Sequence, residues 1–94
     1  MRFSPELRDG VARGDITVSI RLWQRAQVKV GGRYECDGSW LEVDSVEVLP
    51  FSAVTADDVA RSGERDREAL RQRAAHAGPV HDSTLVHRIE FHLV

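Results

Sequence analysis

A two-residue turn signal followed by a slip of phase limits what this chain can fold into. Asp37-Gly38 stands between two runs that read as strands, and an Asp-Gly pair suits the tight antiparallel hairpin whose central residues take positive φ. Beyond it, Leu41 and Val43 share one face of an extended strand, yet the apolar set resumes at Val46 and Val48, one residue out of step. The slip at Asp44-Ser45 predicts a bulge or corner, and strands bent in this way curl towards a closed antiparallel barrel. Pro50, which has no N–H for a ladder, ends the strand.

The other elements follow from caps and periodicity. Ser4 before Pro5 is a helix start, and Gly14 suits the left-handed residue after a helix end, so the pattern predicts a helix over residues 5–13. Asp9 and Arg13, four apart, support it. Residues 16–22 alternate, with Ile16, Val18, Ile20 and Leu22 on one face and Thr17, Ser19 and Arg21 on the other, which predicts a half-buried strand. Short strands are expected at 28–30 and 33–36, around Gly31-Gly32. Thr55 with Asp58 forms a capping box for a short helix ending near Gly63. A second helix over 67–75 has Leu70 as its one large apolar residue and is expected at the surface, with Arg67 and Arg71 on a solvated face. Gly78-Pro79 breaks it, and residues 85–94 form a last strand with Leu85, His87, Ile89, Phe91 and Leu93 on one face.

Ninety-four residues leave room for one domain, residues 1–94, with a modest core. No apolar run approaches the roughly 20 residues that span a bilayer, and Arg2, Glu6, Arg8 and Asp9 interrupt any signal-peptide core, so a cytoplasmic chain without a membrane partner is expected. Cys36 is the only cysteine, which excludes an internal disulfide and a zinc site built on paired cysteines. His76, His81, His87 and His92 show no ligand spacing, since His87 and His92, five apart on a strand, face opposite ways. No metal and no cofactor is expected. Gly31-Gly32 lacks the following helix that a phosphate loop needs.

The formal charge of −2 conceals a segregation: residues 1–33 carry seven bases and three acids, residues 34–60 no base and seven acids, and the remainder six bases and five acids. A polyanion would therefore meet the first third. There Arg21, Arg25, Lys29 and Arg33 can supply charge, and Trp23 and Tyr34 can supply rings on which unpaired bases stack, although a domain this small also needs Trp23 and Trp40 to pack its core.

Residues 14–21, GDITVSIR, resemble the signature of the ASCH domain, a PUA-like family associated with RNA whose pattern runs G-x-K-x-x-E-x-R. Gly14 and Arg21 match, while Ile16 stands at the lysine and Ser19 at the glutamate. A branch similar to small N4-acetylcytidine amidohydrolases reads G-x-K-T-x-T-I-R, and Thr17, Ser19, Ile20 and Arg21 follow that version. The likeness extends to the closing Arg88-Ile89-Glu90-Phe91 strand and to Ser62-Gly63-Glu64, where Ser62 stands at the branch's catalytic glutamate.

The resemblance implies an α+β fold, a PUA-like β-barrel of about five to six mostly antiparallel strands with short flanking helices. It implies RNA or a nucleoside bound in a cleft lined by Thr17, Ser19 and Arg21; the charge and ring pattern adds Trp23, Arg25, Lys29, Arg33 and Tyr34 as ligand-binding candidates, and a monomer is expected. The alternative is amidohydrolysis of an N-acylated pyrimidine nucleoside, with Ser19 as nucleophile and Glu64 as proton-transfer partner; a metal-assisted ribonuclease is a third reading. Ile16 cannot act as a base, so enzyme and binder both stay open at this point.

Overall fold

The computed structural model describes Met1–Val94. Four strands, β1 (Val18–Arg21), β2 (Arg33–Cys36), β3 (Ser39–Pro50) and β4 (Leu85–Leu93), form one antiparallel sheet in the order β1-β4-β3-β2. Three helices, α1 (Pro5–Ala12), α2 (Ala56–Arg61) and α3 (Arg67–Ala74), cover its two faces. On one face Phe3, Leu7 and Val11 pack with Leu41, Val43, Ile89 and Phe91. On the other, Val59, Leu70 and Ala74 pack with Val18, Ile20 and Val86. The central strand β4 thus buries residues on both sides, Ile89 and Phe91 towards α1 and Val86 towards α3. No helix is long and apolar enough to cross a membrane.

Local signals explain most boundaries. Asp37 and Gly38 take φ of 48° and 83°, and Cys36 pairs with Ser39 across the turn. The ladder steps from Val43 opposite Phe91 to Ser45 opposite Glu90, leaving Asp44 as the extra residue of a bulge. Thr55 accepts from the Asp58 N–H while the Asp58 carboxylate accepts from the Thr55 N–H, a complete capping box. The Asp66 carboxylate caps α3 by accepting from the Ala69 N–H at 2.8 Å.

Several expectations are corrected. The sheet is open and has four strands instead of the five or six of a closed barrel. Residues 28–30 form no strand: Val28 enters the core and Lys29 and Val30 are exposed. Only the Gly31 N–H to the Val43 carbonyl (2.8 Å) and the Val43 N–H to the Gly32 carbonyl (3.0 Å) continue the pairing there. Residues 22–28 make no backbone–backbone hydrogen bond at all, so nothing bridges the edge strands β1 and β2.

The chain also changes face at Thr17, whose N–H donates to the Arg61 carbonyl at 3.0 Å before β1 begins. Ile16 therefore packs with Leu7 on the α1 side and Val18 on the α3 side, although simple alternation puts them together. Val48 and Leu85, expected inside, are 57% and 59% exposed because the α1-side core ends at Val46 and Ile89. Arg67 and Arg71 are no solvated face. Arg67 donates to the carbonyls of Phe51 (3.1 Å) and Val54, Arg71 to that of Val80 (2.7 Å), and both guanidinium groups lie over the Phe51 ring. They fasten two connecting segments to α3.

Candidate ligand cleft

A cleft of about 1040 Å³ opens between the N-terminal segment, the exit of β1 and α3. Arg2 and Phe3 form one lip, Ser19, Arg21, Trp23 and Arg25 the floor and one wall, and Ser62, Glu64, Leu70 and Arg73 the other wall. Its size suits a ligand of nucleoside dimensions or one unit of a longer chain.

Arg21 is the centre. Its side chain shares a strand face with Ser19, and its Nε donates to Ser19 Oγ at 2.6 Å while Nη2 donates to the Arg2 carbonyl at 2.6 Å. The guanidinium lies 5.0 Å from the Phe3 ring centroid and 5.8 Å from that of Trp23. No carboxylate pairs with it, and burial holds its pKa below the ordinary arginine value while leaving it charged. Ser19 is buried, and its hydroxyl oxygen meets only this cation.

The opposite wall is already satisfied. Arg73 binds Glu64 through Nε and, at 3.4 Å, through Nη2, and it reaches Glu6 of α1 at 2.9 Å. The Glu64 hydrogen bond, then that of Glu6, raises the Arg73 pKa further, although burial opposes the shift. Ser62 is buried and donates to the Val59 carbonyl at 2.7 Å.

This architecture matches two solved structures. An ASCH domain from Lactobacillus crispatus aligns with a TM-score of 0.72 at 22% identity, covering 94% of this chain and 70% of that one. The chain has the ASCH fold. A protein of Enterococcus faecalis from the family DUF984 aligns with a TM-score of 0.73 at 15% identity, covering 95% of this chain and 67% of that one. No family model matches the sequence, and no curated protein does. At these identities the likeness is one of fold.

Within this ASCH fold the residues singled out from the sequence separate into two groups. Ser19, Arg21, Trp23, Arg25 and Glu64 line the cleft, whereas Thr17, Lys29, Arg33 and Tyr34 do not. Thr17 Oγ1 accepts from Arg61 Nε at 3.0 Å. Lys29 is exposed, and its backbone N–H donates to the Tyr34 hydroxyl at 3.0 Å. Tyr34 packs on the α1-side core, and Arg33 pairs with Glu42 at 3.0 Å on β2 and β3. Ile16 is buried, its Cδ1 lying where a Cβ on Gly63 would come within 2.6 Å.

Sequence reasoning missed Arg73 and the N-terminal lip. One signal existed for Arg73: with Leu70 inward, residues 73, 74 and 77 follow on the same helical face, and all of them border the cleft. A second cluster, Glu42, Asp44 and His92, gathers on the exposed sheet surface with ligand atoms within 4.8 Å of one another. Spacing could not show it, because Glu42 faces His92 across the ladder and the bulge brings Asp44 within 2.9 Å of His92.

Proposed function

We propose that the cleft binds single-stranded RNA through one nucleoside unit and holds it without bond cleavage. The observation that carries this reading is Arg21, a half-buried cation with no carboxylate partner, set between two aromatic rings beside a hydroxyl. A phosphate supplies the missing counter-charge, and a base stacks on Trp23. Arg2 and Arg25 add charge around the same opening, while Arg73 is already paired with Glu64, the one acid among the lining residues.

Hydrolysis of an N-acylated nucleoside finds less support. A serine becomes a nucleophile when a base takes its proton, and Ser19 Oγ meets only Arg21, a donor that accepts none. Glu64, the carboxylate in the wall, is held by Arg73. The Glu42, Asp44 and His92 cluster lies outside the cleft lining, which counts against a metal-assisted reaction there.

Fluorescence anisotropy with a labelled RNA oligonucleotide tests binding, and chromatography of N4-acetylcytidine incubated with the protein tests turnover. Binding by the wild type that Arg21→Ala weakens, with no hydrolysis, is the expected result. Turnover by the wild type that Ser19→Ala abolishes would overturn it.

A further inference from the structure

His87 is the one buried side chain whose polar atom finds no partner: it is 6% exposed, and Nδ1 makes no hydrogen bond. Buried polar atoms are paired in the great majority of cases, and the exceptions ask for a cause. Position 87 faces the α1 side of the sheet with Ile89 and Phe91, where an aromatic or aliphatic side chain would pack without that penalty. What covers the imidazole is Trp23, its ring centroid 5.7 Å away and tilted by 50°. Trp23 belongs to the cleft wall, and Arg21 lies directly opposite His87 in the β1-β4 register.

The cover is held by side-chain packing alone. Trp23 is only partly buried, and it sits on the stretch 22–28, which has no backbone–backbone hydrogen bond and no regular structure. Segments held by few hydrogen bonds open most readily. An unpaired ring nitrogen therefore lies behind the Trp23 ring, beside the cation at the centre of the cleft.

We propose that His87 and Trp23 form a covered recognition subsite: a flat heteroaromatic base moves the Trp23 indole off His87 and stacks on that indole, and its exocyclic amino group donates to Nδ1 of His87. The neutral imidazole with its proton on Nε2 presents Nδ1 as the acceptor this requires. The subsite rests on the reading of the cleft as a nucleoside site and adds to it a preference for amino-bearing bases.

Calorimetric titration with adenosine and cytidine 5′-monophosphates, each beside its dimethylamino counterpart, tests the hydrogen bond directly. The wild type should bind at least one parent about tenfold more tightly than its dimethylated form, the effect expected of one such bond. His87→Phe should bind both forms alike, and it should melt about 4 °C or more above the wild type because the orphaned atom is gone. His87→Leu repeats the measurement without the larger ring. Discrimination that persists in both variants would come from bulk alone and would overturn the subsite. If the wild type binds RNA in an Arg21-dependent way but does not distinguish the paired nucleotides, the subsite fails and the cleft reading stands. If it binds neither RNA nor nucleotides, both fall.

Discussion

The two faces of β4 handle charge in opposite ways. Towards α2, Arg88 reaches Asp58 at 3.0 Å, Glu90 at 2.9 Å and Glu47 at 3.2 Å, and Arg61 joins Glu90 at 3.1 Å while holding the Thr17 hydroxyl. Towards the cleft, Arg21 has a hydroxyl, a carbonyl and two rings, and His87 has no hydrogen-bonding partner at Nδ1. The first arrangement is closed, since its donors and acceptors satisfy one another and strengthen the packing of α2 on the sheet. The second leaves capacity unused, and unused capacity in a cleft is what a ligand can take up. Loss of a partner on the first face should therefore cost folding, and loss on the second should cost binding.

The largest expected effect tests the closed face. Asp58→Ala removes both the carboxylate arm of the α2 capping box and the buried partner of Arg88, and it should lower stability by about 3 kcal/mol in urea denaturation. RNA affinity should change less than twofold; a large loss of affinity in the folded variant would join the two faces into one site. Next in size, Arg21→Ala should weaken RNA binding by about 2 kcal/mol, roughly thirtyfold, with a smaller change in stability.

Acid should weaken the closed face. Burial would raise the Asp58 pKa, but the Thr55 N–H and the Arg88 guanidinium outweigh it and hold the carboxyl below its ordinary range. Arg61 and then Arg88 do the same for Glu90. A depressed carboxylate stabilises the fold fully above its unfolded pKa, and the contribution is lost as pH falls through the folded value. Thermal stability should therefore decline as pH drops below about 4, and Asp58→Asn should flatten that decline. A decline unchanged in Asp58→Asn would remove Asp58 from the acid response. Smallest of all, Lys29→Ala and Arg33→Ala should leave RNA affinity within twofold of the wild type, whereas Arg25→Ala at the cleft should lower the salt slope by about one. An Arg33→Ala effect as large as that of Arg21→Ala would move the binding surface to the β2 edge.

What was legible in the sequence was local. Asp37-Gly38, the slip at Asp44 and the Thr55–Asp58 box each act within a few residues, and each produced the turn, bulge or cap that its chemistry requires. Barrel closure was misread because it depends on a partner for residues 28–30, and Val28 instead gains more by entering the core. The face change at Thr17 was invisible for a similar reason, since Arg61, 44 residues away, supplies the competing contacts. In the cleft, alternation placed Ser19 with Arg21, and helical periodicity could have placed Arg73 at the opening, but not its clasp on Glu6, 67 residues away.

Ile16 makes position 16 a matter of context instead of a single choice of side chain. Its Cδ1 would lie 2.8 Å from a Cβ on Gly10 and 2.6 Å from one on Gly63, so the isoleucine is keyed into two bare stretches of backbone that join α1 to the turn after α2. Gly63, at a φ of 83°, accepts few other residues. Ile16→Lys would place an ammonium in that apolar seam or force the seam apart. A change at position 16 is coupled to its surroundings, and accommodating one takes concerted changes on both sides of the seam.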